Sequence, residues 1–188
     1  PAGKSIEFYA LANAAVDENI TTKTALLALT EETPGSYNGT FANVSSKALR
    51  SGGFLMSGTA TKSIGAAGTT TEVAITLRRD VAKVAGQASL SPAFADKYPG
   101  TVRITSVKLS RSAMQTPYFG GTPKTGAMTF THTQTPGETS GRFNALFYCF
   151  ENAALASGSR VLLTLDGVYD RDGKTSTTSD QVPISYEV

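Results

Sequence analysis

The chain has 188 residues, of which only 17% are charged, while 26 Thr and 18 Ser make up almost a quarter of the sequence. A hydrophobic fraction of 40% is enough to form a core, which argues against wholesale disorder. One Cys and one His cannot form an internal disulfide or build a zinc site, and a net charge of +2 is too small to indicate a nucleic-acid-binding surface. The sequence contains no apolar run of about 18 residues, so no segment is predicted to span a membrane.

The abundance of Thr and other β-branched residues favours strands over helices. Alternation supports this, because Val73, Ile75 and Leu77 share one face of their segment. The segment 22–29 is predicted to form a helix, with a strand as the alternative, and a slip in the alternation at Thr105 and Ser106 predicts a β-bulge or a bend. About ten short strands are predicted, at 5–12, 36–41, 53–56, 71–78, 81–85, 101–109, 127–133, 144–150, 161–165 and 181–188. We therefore expect an all-β protein.

The segment 91–100 is predicted to link two domains. It contains two Pro and one Gly, shows no strand alternation and lies near the midpoint of the chain. Five predicted strands fall on each side of it, about the minimum for a small sandwich with its own core. We expect an N-terminal β-sandwich domain at 1–92 and a C-terminal β-sandwich domain at 93–188.

No combination of residues in the sequence predicts catalysis. His132 lies in a polar strand end without a nucleophile motif nearby, and Cys149 lies in an aromatic strand, where a buried thiol is expected. The sequence at 170–173 echoes the start of a calcium loop, but Gln181 stands at the twelfth position, where an EF-hand needs Glu. We expect a protein that is not an enzyme and that binds no cofactor or metal.

Several segments, in their order along the chain, resemble the fimbrillins, the subunits of the type V pili of Bacteroidia. These segments include a Met-Ser-Gly stretch, a strand followed by Arg and Val-Ala-Lys-Val, and an aromatic strand capped by Glu-Asn. They lie at 8–14, 54–58, 73–84, 102–109, 147–152 and 161–173. The resemblance extends over nearly the whole chain.

The resemblance implies two small transthyretin-like β-sandwich domains in tandem, in a subunit exported through the outer membrane to a cell-surface fimbrium. In that family an N-terminal segment is removed by proteolysis, and a strand of the next subunit fills the groove that opens. A start at Pro1, shortly before a strand, suits such a trimmed product. Ile6, Phe8 and Tyr9 are the candidate residues lining the groove. The implied partners are copies of the chain or other fimbrial subunits, and a host or bacterial surface receptor, but no nucleic acid.

One departure concerns the end of the chain. Members of the family continue past the strand that 184–188 resembles, into a strand region involved in donation, so the second domain could lack its last strand. Three explanations stay open: the strand is cut away, the subunit donates differently, or it is a receiving-only or terminal subunit. Two alternatives stay open beside the structural subunit of a fimbria. One is a tip or accessory adhesin, or another carbohydrate-binding β-sandwich, in which Tyr118 and Phe119 could contact sugar. The other is a β-domain of a viral or phage capsid or tail.

Overall fold

The computed structural model of the protein describes residues 2–14, 16, 18–32, 37–39, 41, 44–121, 128–133, 142–152, 156–174 and 178–188, with only the backbone described at Met128, His132, Thr133, Arg142 and Ser157. Within these ranges the chain is mostly β-strand with short helices, as the sequence predicts. The strands are β1 (Ser5–Ala12), β2 (Thr30–Glu31), β3 (Met56–Ser63), β4 (Arg78–Arg79), β5 (Val81–Ser89), β6 (Thr101–Ser112), β7 (Thr116–Pro117), β8 (Met128–Thr133), β9 (Arg142–Phe150), β10 (Leu162–Asp170) and β11 (Gln181–Glu187). The helices are α1 (Lys23–Leu27), α2 (Pro92–Lys97) and a 3-10 turn (Ser157–Ser159).

The first sheet has the strand order β1-β3-β4. Strand β1 pairs antiparallel with β3 over its full length, from Ser5 opposite Ser63 to Ala12 opposite Met56. Strand β4 joins β3 through two residues only. The predicted strand at 71–78 therefore enters a ladder only at Arg78, although its alternation does place the side chains of Val73 and Ile75 in half-buried positions.

The larger core lies between a four-stranded sheet, in the order β11-β10-β6-β8, and the β5-β9 pair. Val107, Leu109 and Phe130 come from the four-stranded sheet, and Phe143 and Phe147 come from β9. Aromatic side chains dominate this contact because they bury the largest apolar area per residue. These two layers form a sandwich. No helix in the described ranges is long and apolar enough to cross a membrane.

The predicted β-bulge is confirmed at its predicted position. Asp166 of β10 lies opposite Ser106 of β6, whereas the next residue, Gly167, lies opposite Ile104. Thr105 is thus the extra residue, and its hydroxyl donates to the carbonyl oxygen of Asp166 at 3.3 Å. Gly167 is required beside the bulge, since an added Cβ would stand 2.6 Å from the nearest carbonyl oxygen of β6.

Strand pairing crosses the boundary predicted at 92 and 93. Strand β5, which precedes it, pairs along its whole length with β9, which follows it. Strand β2 likewise pairs with β7. The predicted linker holds a helix, α2, which begins at Pro92, a residue that suits the first helical turn. The division into two transthyretin-like domains stays a prediction. If it holds, the β5-β9 and β2-β7 pairs join residues of the two predicted domains.

The remaining short segments follow the sequence less closely. The predicted helix is confirmed as α1, whose Thr22 caps the first turn by accepting the amide of Ala25 at 3.1 Å. Of the predicted strand at 36–41, the described residues 37–39 and 41 form no strand. The predicted strand at 53–56 is found only at its last residue, Met56, where β3 begins.

In the described part of the chain, a side chain and not a strand bonds to the second edge of β9 at Tyr148. Nδ2 of the Asn38 side chain donates to the carbonyl oxygen of Tyr148 at 2.7 Å, and Oδ1 of Asn38 accepts the main-chain N–H of Tyr148 at 2.8 Å. Since β5 pairs with β9 on one side, these two bonds satisfy the main chain of Tyr148 on the other. Asn38 thus makes, at this one position of a largely buried strand, the two hydrogen bonds that a neighbouring strand would make.

Candidate functional site beside strand β1

Strand β1 is an edge strand in the part of the chain that the structure describes. Successive side chains of a strand point to opposite faces, so Ile6 and Phe8 share one face and Glu7 and Tyr9 share the other. The structure therefore brings together two of the three predicted groove residues and places Tyr9 on the opposite face. A strand added at the free edge would extend both faces, and acceptance of such a strand at this edge stays a prediction.

The face that carries Ile6 and Phe8 is apolar but only partly covered. Its members on β1 and β3 are half-buried from Phe8 and Ala60 to Met56 at the far end, whereas Lys62, opposite the half-buried Ile6, is exposed. The segment before β4 crosses this face at Gly58, where an added Cβ would lie 2.3 Å from the carbonyl oxygen of Thr76. Glycine thus lets the segment lie close against the sheet. The described residues leave an apolar strip along β1 with partial solvent access.

The opposite face of β1 forms one wall of a cleft of about 530 Å³, and α1 forms the other wall. Helix α1 is held in place by Leu26, which packs with Leu29 against the buried group of Leu55, Tyr118 and Phe119. The residues that line the cleft are Ser5, Glu7, Tyr9 and Thr61 from the sheet and Lys23 and Leu26 from the helix, with Ile6 at the border.

An exposed network of polar groups crosses the cleft. The Lys23 ammonium donates to Oε2 of Glu7, and the Tyr9 hydroxyl donates to the same oxygen at 3.2 Å. The hydrogen bond from Lys23 lowers the pKa of Glu7 below its usual value, and the same bond raises the pKa of Lys23. The ring of Tyr9 meets Phe119 edge to face, with 5.1 Å between centroids. Glu7 therefore stays a carboxylate at neutral pH, next to an aromatic ring of fixed orientation.

Other residues considered from the sequence are not in this cleft. Tyr118 and Phe119 were candidates for an exposed sugar contact, but each is only 8% exposed, because both pack beneath α1 and β1. Cys149 is buried, and burial raises the pKa of its thiol. For His132, the structure describes only the backbone. The buried aromatic pair could not be recognised from a Gly- and Pro-rich loop, since loop composition does not say which way a side chain turns.

The acidic residues near the C-terminus are brought together by their turn. Carboxylate oxygens of Asp170, Asp172 and Asp180 all lie within 4.8 Å of one another. The turn itself occupies several of these oxygens, because Asp170 accepts the amide of Gly173 at 3.0 Å and Asp180 accepts the amide of Asp172 at 3.0 Å. The carboxylates thus hold the connection between β10 and β11.

The fold and the cleft define an all-β protein with a sandwich core and an open edge strand. No protein-family model matches the sequence, and neither does any curated protein. Among solved structures the chain is similar to a protein from Bacteroides eggerthii that is provisionally assigned to cell adhesion, with a TM-score of 0.59 and 18% identity. The match covers 97% of this chain and 60% of the other, so the chain spans less than two thirds of that protein's length. Identity this low shows a shared fold and nothing more.

Proposed function

We propose that the protein is a structural subunit of a cell-surface fimbria, that it polymerises by strand exchange after proteolytic trimming, and that it supports adhesion. The fold that it shares with the Bacteroides eggerthii protein, itself provisionally assigned to cell adhesion, supports a role at the cell surface. The fimbrillin-like segments of the sequence support the finer assignment. In this proposal the partners are copies of the chain or other fimbrial subunits, and the protein is not an enzyme.

The observation that carries the proposal is the open edge of β1. An edge strand presents unpaired main-chain N–H and C=O groups, which form a template for a strand from another molecule. Strand β1 has eight residues, longer than the typical strand, and the described part of the chain pairs it with β3 alone. An incoming strand would complete these hydrogen bonds without any catalytic residue.

The apolar strip beside that edge would stabilise the added strand. Ile6 and Phe8 are half-buried, so a second strand that covers them would remove further apolar surface from water. Main-chain bonds tolerate many sequences, whereas side chains that fit beside Ile6 and Phe8 would fix the register. Tyr9 lies on the other face of β1, so it would contact the side chains of the added strand that point away from Ile6 and Phe8.

Electron microscopy of the purified, protease-trimmed protein tests the proposal. We expect filaments from the wild type and none from the double variant Ile6→Ser, Phe8→Ser, with circular dichroism to show that the variant stays folded. Ile184→Ser on β11 is the matched control, since this half-buried residue lies on an edge strand of the other sheet. Loss of filaments only in the β11 variant would place the acceptor elsewhere. A monomer, an icosahedral shell or a tail-like tube from wild-type protein would overturn the fimbrial assignment.

A further inference from the structure

We propose that the cleft between α1 and the face of β1 that carries Glu7 and Tyr9 binds a short saccharide. This proposal goes beyond the fimbrial one, because polymerisation uses the main-chain edge and the apolar strip of β1 and does not require the hydrogen-bonding groups of Glu7 and Lys23. The cleft is open, and its volume of about 530 Å³ lies within the range of about 300–1,000 Å³ that is typical of small-ligand sites. It can hold a monosaccharide or a disaccharide at the surface.

The polar groups of the cleft are those that a polyol needs. Oε2 of Glu7 is engaged by Lys23 and Tyr9, whereas no described residue bonds to Oε1, which remains as an acceptor for a hydroxyl. The Lys23 ammonium has further protons to donate. Ser5 and Thr61 add hydroxyls, each of which both donates and accepts. Neighbouring hydroxyls of a sugar can therefore find a charged acceptor and a charged donor within one small cleft.

The apolar groups of the cleft suit the C–H face of a sugar ring. The Tyr9 ring is half-buried, and its edge-to-face contact with Phe119 limits its rotation. Leu26 on the helix supplies aliphatic surface beside the ring, and Ile6 lies at the border of the cleft. A ligand with one polar rim and one weakly polar face fits this combination of an aromatic ring, an aliphatic side chain and convergent hydrogen-bonding groups.

The charge balance of the cleft selects the class of ligand. Among the described residues that line the cleft, Glu7 and Lys23 are the only charged ones, and their formal charges cancel. A phosphate or an acidic peptide would meet the Glu7 carboxylate, and a cationic ligand would meet Lys23. A neutral sugar avoids both like-charge repulsions, since its hydroxyls can donate to the Glu7 carboxylate and accept from the Lys23 ammonium. Glu7, Lys23 and Tyr9 already contact one another in the unbound protein.

Nuclear magnetic resonance on the full chain tests this inference. The probes are methyl α-mannopyranoside, methyl β-galactopyranoside, N-acetylglucosamine and lactose, each titrated into ¹⁵N-labelled protein. We expect at least one of them to shift the amide signals of 5–9 and 23–26 at millimolar concentration. Glu7→Gln and Lys23→Met should each weaken that binding about tenfold or more, because each removes a charge-assisted hydrogen bond. The matched control is Glu72→Gln, an exposed carboxylate on the segment before β4, which should leave binding unchanged.

Several outcomes would overturn the saccharide site. They are the absence of shifts with all four sugars, shifts confined to another part of the protein, and affinities that Glu7→Gln and Lys23→Met leave unchanged. Stronger shifts of the same amides by an extended apolar peptide, with loss of the sugar-induced shifts, would identify the cleft as a strand-binding groove. Filaments are scored on the same variants. Glu7→Gln protein that forms filaments but binds no sugar would separate the two proposals, and failure of polymerisation alone would leave the saccharide result intact.

Discussion

Asp80 lies between β4 and β5, where the chain leaves the first sheet for the sandwich, and it is half-buried. Its Oδ1 accepts the hydroxyl of Ser57 at 3.4 Å, while its Oδ2 is buried without a partner in the described structure. Burial raises the pKa of this carboxyl from 3.8 to about 6, and the negative charge of Glu31 acts in the same direction. Asp80 is therefore charged at neutral pH in a place that disfavours the charge.

The substitution Asp80→Asn keeps the shape of the side chain and removes the charge. The difference between a pKa of 3.8 and one of about 6 corresponds to about 3 kcal/mol at neutral pH. Because the carboxyl is half-exposed, solvent screening reduces this to about 1.5 kcal/mol. The folded state binds the proton more tightly than the unfolded state, so the penalty is fully present above the folded pKa and fades as the pH falls toward 3.8. We expect the variant to gain about 1–1.5 kcal/mol at pH 7 and about 0.5 kcal/mol at pH 4.

Urea unfolding followed by far-ultraviolet circular dichroism at the two pH values measures this difference. The control is Asp96→Asn on α2, an exposed residue, for which the free energy of unfolding should stay within about 0.5 kcal/mol of wild type. A variant at Asp80 that is less stable than wild type at pH 7 would refute the reasoning, and so would a gain that does not change with pH. The first result would mean that the buried oxygen has a partner in solution, and the second that the gain does not come from removal of the charge.

Three further predictions concern packing. Gly58→Ala should lower the free energy of unfolding in the same urea titration by about 2 kcal/mol, because the new Cβ would stand 2.3 Å from a carbonyl oxygen. Gly86→Ala is the control, since the atom nearest to its new Cβ is 3.9 Å away, and it should change the free energy of unfolding by less than about 0.5 kcal/mol. Asn38→Ala should cost about 2–4 kcal/mol, since both main-chain groups of buried Tyr148 lose their partner, and the amide of Tyr148 should then exchange faster with solvent. The Cys149 thiol, buried and with a raised pKa, should react with Ellman's reagent only once the protein is unfolded; prompt labelling of the native protein would contradict its burial.

The alternation of apolar residues predicted side-chain burial better than strand pairing. Strand β1 matches its prediction at both ends, and the slip at Thr105 located the bulge. The segment 71–78 shows the limit, because Val73 and Ile75 are half-buried as expected while Leu77 is exposed and the main chain pairs only at Arg78. Periodicity reports which side of a segment meets the core, and it says nothing about whether a neighbouring main chain stands within hydrogen-bonding distance.

The candidate site was predictable only in part for the same reason. Ile6 and Phe8 were recognisable because they alternate within an evident strand, but Tyr9 was grouped with them although it lies on the other face. Nothing local to Lys23 indicates that it reaches Glu7, since that contact depends on how α1 packs against β1. Contacts between distant segments are set by tertiary packing, and a single sequence carries no direct record of them.

The pairing of β5 with β9 has a consequence during synthesis. Residues 81–89 leave the ribosome long before residues 142–150, so the first of these strands has no partner while some fifty further residues are added. The bonds between Asn38 and Tyr148 span a sequence separation of 110 residues and can close only after that. Such long-range contacts slow folding and leave strand edges exposed to other chains. Strand β5 of the nascent protein therefore stays unpaired with β9 until residues 142–150 have been made.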